Sequence, residues 1–181
     1  MDRTALKPSG LGFALAGMVL GLLYGAVSVY WGLGGTALLA TVGGSLERGG
    51  RAGDLAVVLA LWAAVVLKLI AAALPLVVIY RLGGVAWQRL AKALVWIEAA
   101  VLVLYGLVLT SVGLLVQVGV IAASASADHR ALAWHAYLWD PWFLVWGLLI
   151  VGALLRARHR NRETTELADH PRNPFRAVSA R

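Results

Sequence analysis

Cysteine is absent from the chain, which rules out disulfides, thiolate nucleophiles, iron–sulfur ligation and thioether haem attachment. Charge is nearly as scarce. Asp, Glu, Lys and Arg make up 14% of the residues, against about a quarter in a soluble domain, while 61% are hydrophobic and the mean hydropathy is +0.80. No Ser-His-Asp arrangement, carboxylate pair or phosphate-binding loop is recognisable, because Gly32, Gly34 and Gly35 follow an apolar helix rather than a strand. His129 and His135 are six residues apart, not the three or four that bring two ligands to one helical face, so no metal and no cofactor is expected.

What the chain has is long apolar runs. Leu55–Ile79 is 25 residues with a single charge, Lys68, near its midpoint. About 20 apolar residues cross a bilayer core. A central lysine costs about 2.5–3.5 kcal/mol on the insertion scale, and each Leu, Ile or Val returns about 0.3–0.6, so the run inserts despite its charge. Three more runs complete an all-α, integral membrane four-helix bundle with short loops: spans at about 11–30, 55–79, 93–121 and 138–155, followed by a disordered basic tail over 156–181. A cleaved signal peptide has a similar opening, but its apolar core is shorter than Leu11–Tyr30, so the first run is expected to stay as a span. Asp140-Pro141 has the chemistry of a helix start, with Asp as cap and Pro at the first position, and the fourth span is expected to begin there.

Basic residues orient the bundle. Arg3 and Lys7, Arg81, Arg89 and Lys92, and the seven arginines from Arg156 onward put twelve on one side, against Arg48, Arg51 and Arg130 on the other. By the positive-inside rule both termini are cytoplasmic in a bacterial plasma membrane, and the net charge of +7 needs no nucleic acid to explain it. Arg156, Arg158, Arg160 and Arg162 directly follow a span and suit anionic lipid headgroups. Membrane lipids are therefore expected partners.

Candidate residues follow from what is unusual inside a membrane. Gly17, Gly21 and Gly25 share one helix face and admit close packing, either within the chain's own bundle or against a membrane partner or second copy. Lys68 shares its face with Ala64, Ala71, Ala72 and Pro75. The stripe Gly106, Thr110, Gly113 and Gln117 on the third span is expected to meet that face. Glu98, the other intramembrane charge, sits near 9 Å from Lys68 in depth, so it is expected to reach toward Arg81 or Arg89 instead. Lys68 leans toward the half holding Trp31, Trp134, His135, Tyr137, Trp139, Asp140 and Trp142. That half reads as an interfacial aromatic belt, or as an outward-facing cleft with Lys68 as floor and Asp140 and His135 at the rim.

Two stretches, Tyr30-Trp31-Gly32-Leu33-Gly34-Gly35-Thr36 and Leu138-Trp139-Asp140-Pro141-Trp142-Phe143-Leu144-Val145-Trp146-Gly147, resemble an uncharacterised family of small bacterial, mostly actinobacterial, four-span membrane proteins classed as a domain of unknown function. The resemblance spans about 11–155. It implies no activity and supplies no catalytic residue; it implies that the two motifs form one unit on the outer side. The expected role is non-enzymatic binding of a lipid, hydrophobic small molecule or membrane partner through the outer half. The alternatives are a small transporter or proton-coupled carrier using Lys68, and a membrane enzyme acting on lipid, for which no nucleophile or base can be named.

Overall fold

A computed structural model describes residues 9–169, with side chains from 9 to 160. Four long helices run alternately up and down: α1 (Leu11–Gly32), α3 (Leu55–Ile79), α4 (Val85–Gln117) and α6 (Asp140–Asp169), with short α2 (Gly44–Ala52) and α5 (His129–Trp134) in the connections. There is no strand among the described residues. Four helical stretches have the length and apolarity to cross a membrane, and the most apolar windows of α3 and α4 are only 17% and 11% buried within the chain. Outward faces so rich in Leu, Val and Ile require an apolar surrounding.

Backbone chemistry explains the helix ends. The Asp54 carboxylate accepts from the amide of Ala56 at 2.8 Å and starts α3. Gly119, at φ +77°, ends α4: its amide bonds to the Val116 carbonyl and the next amide to that of Leu115, closing both last carbonyls. The helix that carries the third apolar run therefore stops at Gln117, short of residue 121, and it starts at Val85, about two turns before residue 93. At about 1.5 Å per residue this helix is near 50 Å long, so it outreaches a core of about 30 Å.

Two further expectations are corrected on the last helix. Asp140 does not cap it. The rod begins at His129, where the Asp128 carboxylate accepts from the amides of Arg130 and Ala131, both at 3.0 Å, and it passes through a wider π-type turn, His135–Trp139, into α6. Pro141 has no amide to offer the carbonyl four residues back, and its ring crowds that carbonyl, so the turn before it widens. Nor does disorder begin at Arg156. The helix carries on to Asp169, tied to the start of α1 by Ser9 Oγ donating to the Arg156 carbonyl at 3.0 Å and by the Arg156 guanidinium 4.7 Å over the Phe13 ring. Residues 170–181 and the Arg162 side chain lie outside the described residues.

The core gathers on one side chain. Trp146 of α6, 2% exposed, packs with Ala72, Val95, Ala99 and Ile150, and it lies in the groove that the α1 glycines open. A methyl on Gly21 would come within 2.6 Å of Trp146 Cζ2 and 2.8 Å of Ala72 Cβ. Gly17, Gly21 and Gly25 are all buried inside the chain, facing Trp146 and the α3 residues Lys68, Leu69 and Ala72. α1 packs chiefly on α3, and α4 chiefly on α6, where Gly106 and Gly147 let the two backbones approach. Gly21→Ala should lower the unfolding free energy by about 1–3 kcal/mol through overpacking. Gly12→Ala, with nothing within 4 Å of the new methyl, should leave it unchanged or raise it; tryptophan-monitored unfolding in detergent compares the two.

Candidate functional site

The α1 helix places Tyr24 and Ser28 one turn apart on the face that meets α3. Lys68 leaves α3 at the level of Gly25, and its side chain climbs one turn to Ser28. There Nζ donates to Ser28 Oγ at 2.6 Å and stands 3.7 Å from the centroid of the Tyr24 ring. Ser28 Oγ in turn donates to the Tyr24 carbonyl at 3.4 Å. A hydroxyl and a ring face thus solvate the ammonium where lipid could not.

The other wall comes from the π-turn. His135 and Asp140 are five residues apart, which in a regular α-helix puts them about 140° apart around the axis. The widened turn brings them back to one side, and His135 Nδ1 lies 3.2 Å from Asp140 Oδ1. Asp140 is buried, at 4% exposure, while the His135 ring is about one third exposed, and the Val42 backbone is a further partner of that ring. Tyr24 stacks on Trp139 at 5.6 Å between centroids and meets Phe143 edge-on at 4.9 Å.

A roof closes the space. After α1, Gly34 takes the left-handed backbone that ends the helix, and 36–42 folds back over the helix ends. Trp31 Nε1 donates to the Ala37 carbonyl at 2.8 Å and Trp139 Nε1 to Thr41 Oγ1 at 3.1 Å, while Thr41 donates to the Leu38 carbonyl at 2.5 Å. The two indoles touch edge to face at 5.8 Å. The two sequence motifs thereby form one packed unit. Beneath the roof is a cavity of about 160 Å³ whose wall includes Tyr24, Ser28, Trp31, Lys68, His135 and Trp139.

Of the candidate residues, Lys68, His135, Trp31 and Trp139 line this space, with Asp140 directly behind His135. Glu98, Thr110 and Gln117 do not. The Gly106 stripe faces α6, against Leu144 and Ala136, rather than the Lys68 face. The third span therefore does not meet Lys68, because its glycines fit the narrow α6 backbone. Glu98 pairs with neither Lys68 nor the interfacial arginines: both its carboxylate oxygens, like Thr110 Oγ1, are buried without a hydrogen-bond partner among the described residues. Tyr24 and Ser28 escaped the sequence reading. The available signal was that Ser28 continues the face of Gly17, Gly21 and Gly25 by one more turn.

A family model described as a protein of unknown function, DUF3995, matches residues 21–150, and the chain belongs to that family. The match takes in the cavity from Tyr24 to Asp140 and ends before Arg156. No curated protein and no solved structure matches.

Removing the roof's anchor and removing the ammonium should have opposite effects. Thr41→Val leaves the buried Trp139 N–H without its acceptor and should cost about 1–3 kcal/mol, with faster amide exchange over 36–52. Lys68→Met keeps the side-chain length and removes a cation that makes no ion pair among the described residues, so stability should hold or rise. Loss of the fold in Lys68→Met would make the lysine a structural residue.

Proposed function

We propose that this DUF3995-family chain is a non-enzymatic membrane protein that binds a small anionic group, a lipid headgroup or the carboxylate of a hydrophobic small molecule, in the cavity under the 36–42 roof. One observation carries the reading. Among the described residues, the Lys68 ammonium in the cavity wall has a hydroxyl and a ring face as its recorded partners, while Asp140 is engaged by His135. Buried charges are ordinarily paired, so the missing partner is the ligand's charge. At about 160 Å³ the space is below the roughly 300–1,000 Å³ of drug-sized pockets, which selects a head and leaves an apolar body outside against lipid.

The chain is read as a multi-pass protein of a bacterial plasma membrane with both termini cytoplasmic. The twelve-to-three division of basic residues supports this orientation and puts the cavity in the outer half. A second reading, a proton-coupled carrier, rests on His135 and Lys68 lining one chamber with Asp140 bonded to His135 behind it, which is the kind of arrangement that relays protons in transporters.

Native mass spectrometry of the full chain with oleate and with phosphatidylglycerol tests the first reading. Retention of either should fall at least tenfold in Lys68→Met and stay unchanged in Arg130→Gln; equal retention in both variants would refute it. Proton flux into liposomes that vanishes in Lys68→Met, with no retained ligand, would favour the carrier. A reporter placed in 44–52 should respond on the outer side and one after residue 181 on the inner side. Both on one side would overturn the orientation.

A further inference from the structure

The wall of the Lys68 cavity is lowest where α3 contributes small side chains. Ala60, Ala64 and Lys68 follow one another at four-residue intervals on one face of the helix, and all three line the cavity. Ala60 is exposed and Ala64 half-buried, so the cavity reaches the surface of the bundle along this face. The surface beside it is apolar: Leu59 and Leu67, next in sequence to Ala60 and Lys68, are 60% and 67% exposed. Two alanines among leucines make a notch that runs about 12 Å along the helix, from the lipid-facing surface to the root of the lysine.

The donors around this space are few and mostly engaged. The Trp31 indole donates to the Ala37 carbonyl, the Trp139 indole to Thr41 and the Ser28 hydroxyl to the Tyr24 carbonyl, while the His135 ring is held by Asp140 and the Val42 backbone. The Lys68 ammonium carries three N–H groups, and one of them goes to Ser28. The other two are left for the Tyr24 ring face and for an occupant. A carboxylate, one charge shared by two oxygens, is satisfied by so small a set. A phosphate head brings more oxygens and is ordinarily held by several donors or a forked guanidinium, and no arginine lines this cavity among the described residues. Its remaining oxygens would lose their water against an apolar wall and gain no partner.

We infer that the occupant is a single-chain amphiphile with a carboxylate head, a long-chain fatty acid, which enters sideways from the bilayer over Ala60 and Ala64. The inference rests on the anion-binding reading of this cavity and narrows it. The carboxylate seats at Lys68, and the chain leaves along the alanine notch into lipid. Ala60 and Ala64 thereby determine specificity without touching the charge: a diacyl lipid branches into two chains just behind its head, and a notch on one helix face admits one.

Purified full-length protein in detergent is titrated with palmitate, hexadecyl phosphate and hexadecanol, probes with one tail and different heads, and retention is read by native mass spectrometry. Palmitate should be retained about tenfold better than either, the equivalent of one charge-assisted hydrogen bond. Hexadecyl phosphate retained as well or better would overturn the carboxylate as the head. Ala60→Phe, which fills the notch, should weaken palmitate about tenfold. Ala63→Phe, exposed less than one turn away but outside the cavity wall, should leave it unchanged; equal losses in the two would overturn the side entry. If Ala60→Phe loses helicity by circular dichroism, Ala60→Leu against Ala63→Leu decides the matter. Lys68→Met keeps the two levels apart. Palmitate lost in that variant, with the phosphate head preferred by the unaltered chain, strikes the carboxylate assignment alone, whereas palmitate retained undiminished strikes the anion site itself.

Discussion

An ammonium carried halfway along a lipid-crossing helix has no water to solvate it, and the protein must do so. Lys68 meets that demand by reaching one turn along α1 to a hydroxyl and the face of a tyrosine ring. The arrangement fixes much else. Tyr24 can lie flat under the cation only because Trp139 and Phe143 hold it from behind, and those two side chains come from the rod whose π-turn also directs His135 inward. The roof is then held over the helix ends by two indole hydrogen bonds. Each piece answers the same problem, a charge in an apolar medium.

Below the chamber the bundle is held by shape. In lipid, helices gain little from hiding apolar surface, so close backbone approach has to supply the cohesion. The α1 glycines take Trp146, and Gly106 and Gly147 seat α4 on α6. This division of labour, polar contacts above and close packing below, leaves α4 at the margin of the chamber, with Gly106 and Gly113 of its stripe seated against Leu144 and Ala136.

The span count and the position of the lone lysine were legible because long apolar runs and single charges are strong, local signals. The glycine face of α1 was legible too, since a four-residue spacing can only mean one side of a helix. Asp140 misled because an Asp-Pro pair has the same local chemistry at a helix start as at a widened turn, and only the helical segment running on from Asp128 distinguishes them. The end of α4 depended on Gly119, hidden in an apolar stretch that extends past it. The partners of Lys68 could not be read, because Tyr24 and Ser28 are ordinary residues on α1 until the crossing with α3 is known. Arg156 and Arg158 read as tail because their order comes from the start of α1 and from Trp96, which are distant in sequence.

One rod, His129–Asp169, contributes His135 and Trp139 to the upper chamber and Arg158 and Arg160 to a second cavity at the other end of the bundle. From residue 135 to residue 158 is about 35 Å at the helical rise. Because that rod is one continuous helical segment, its length alone sets how far the chamber wall stands from the other end of the bundle.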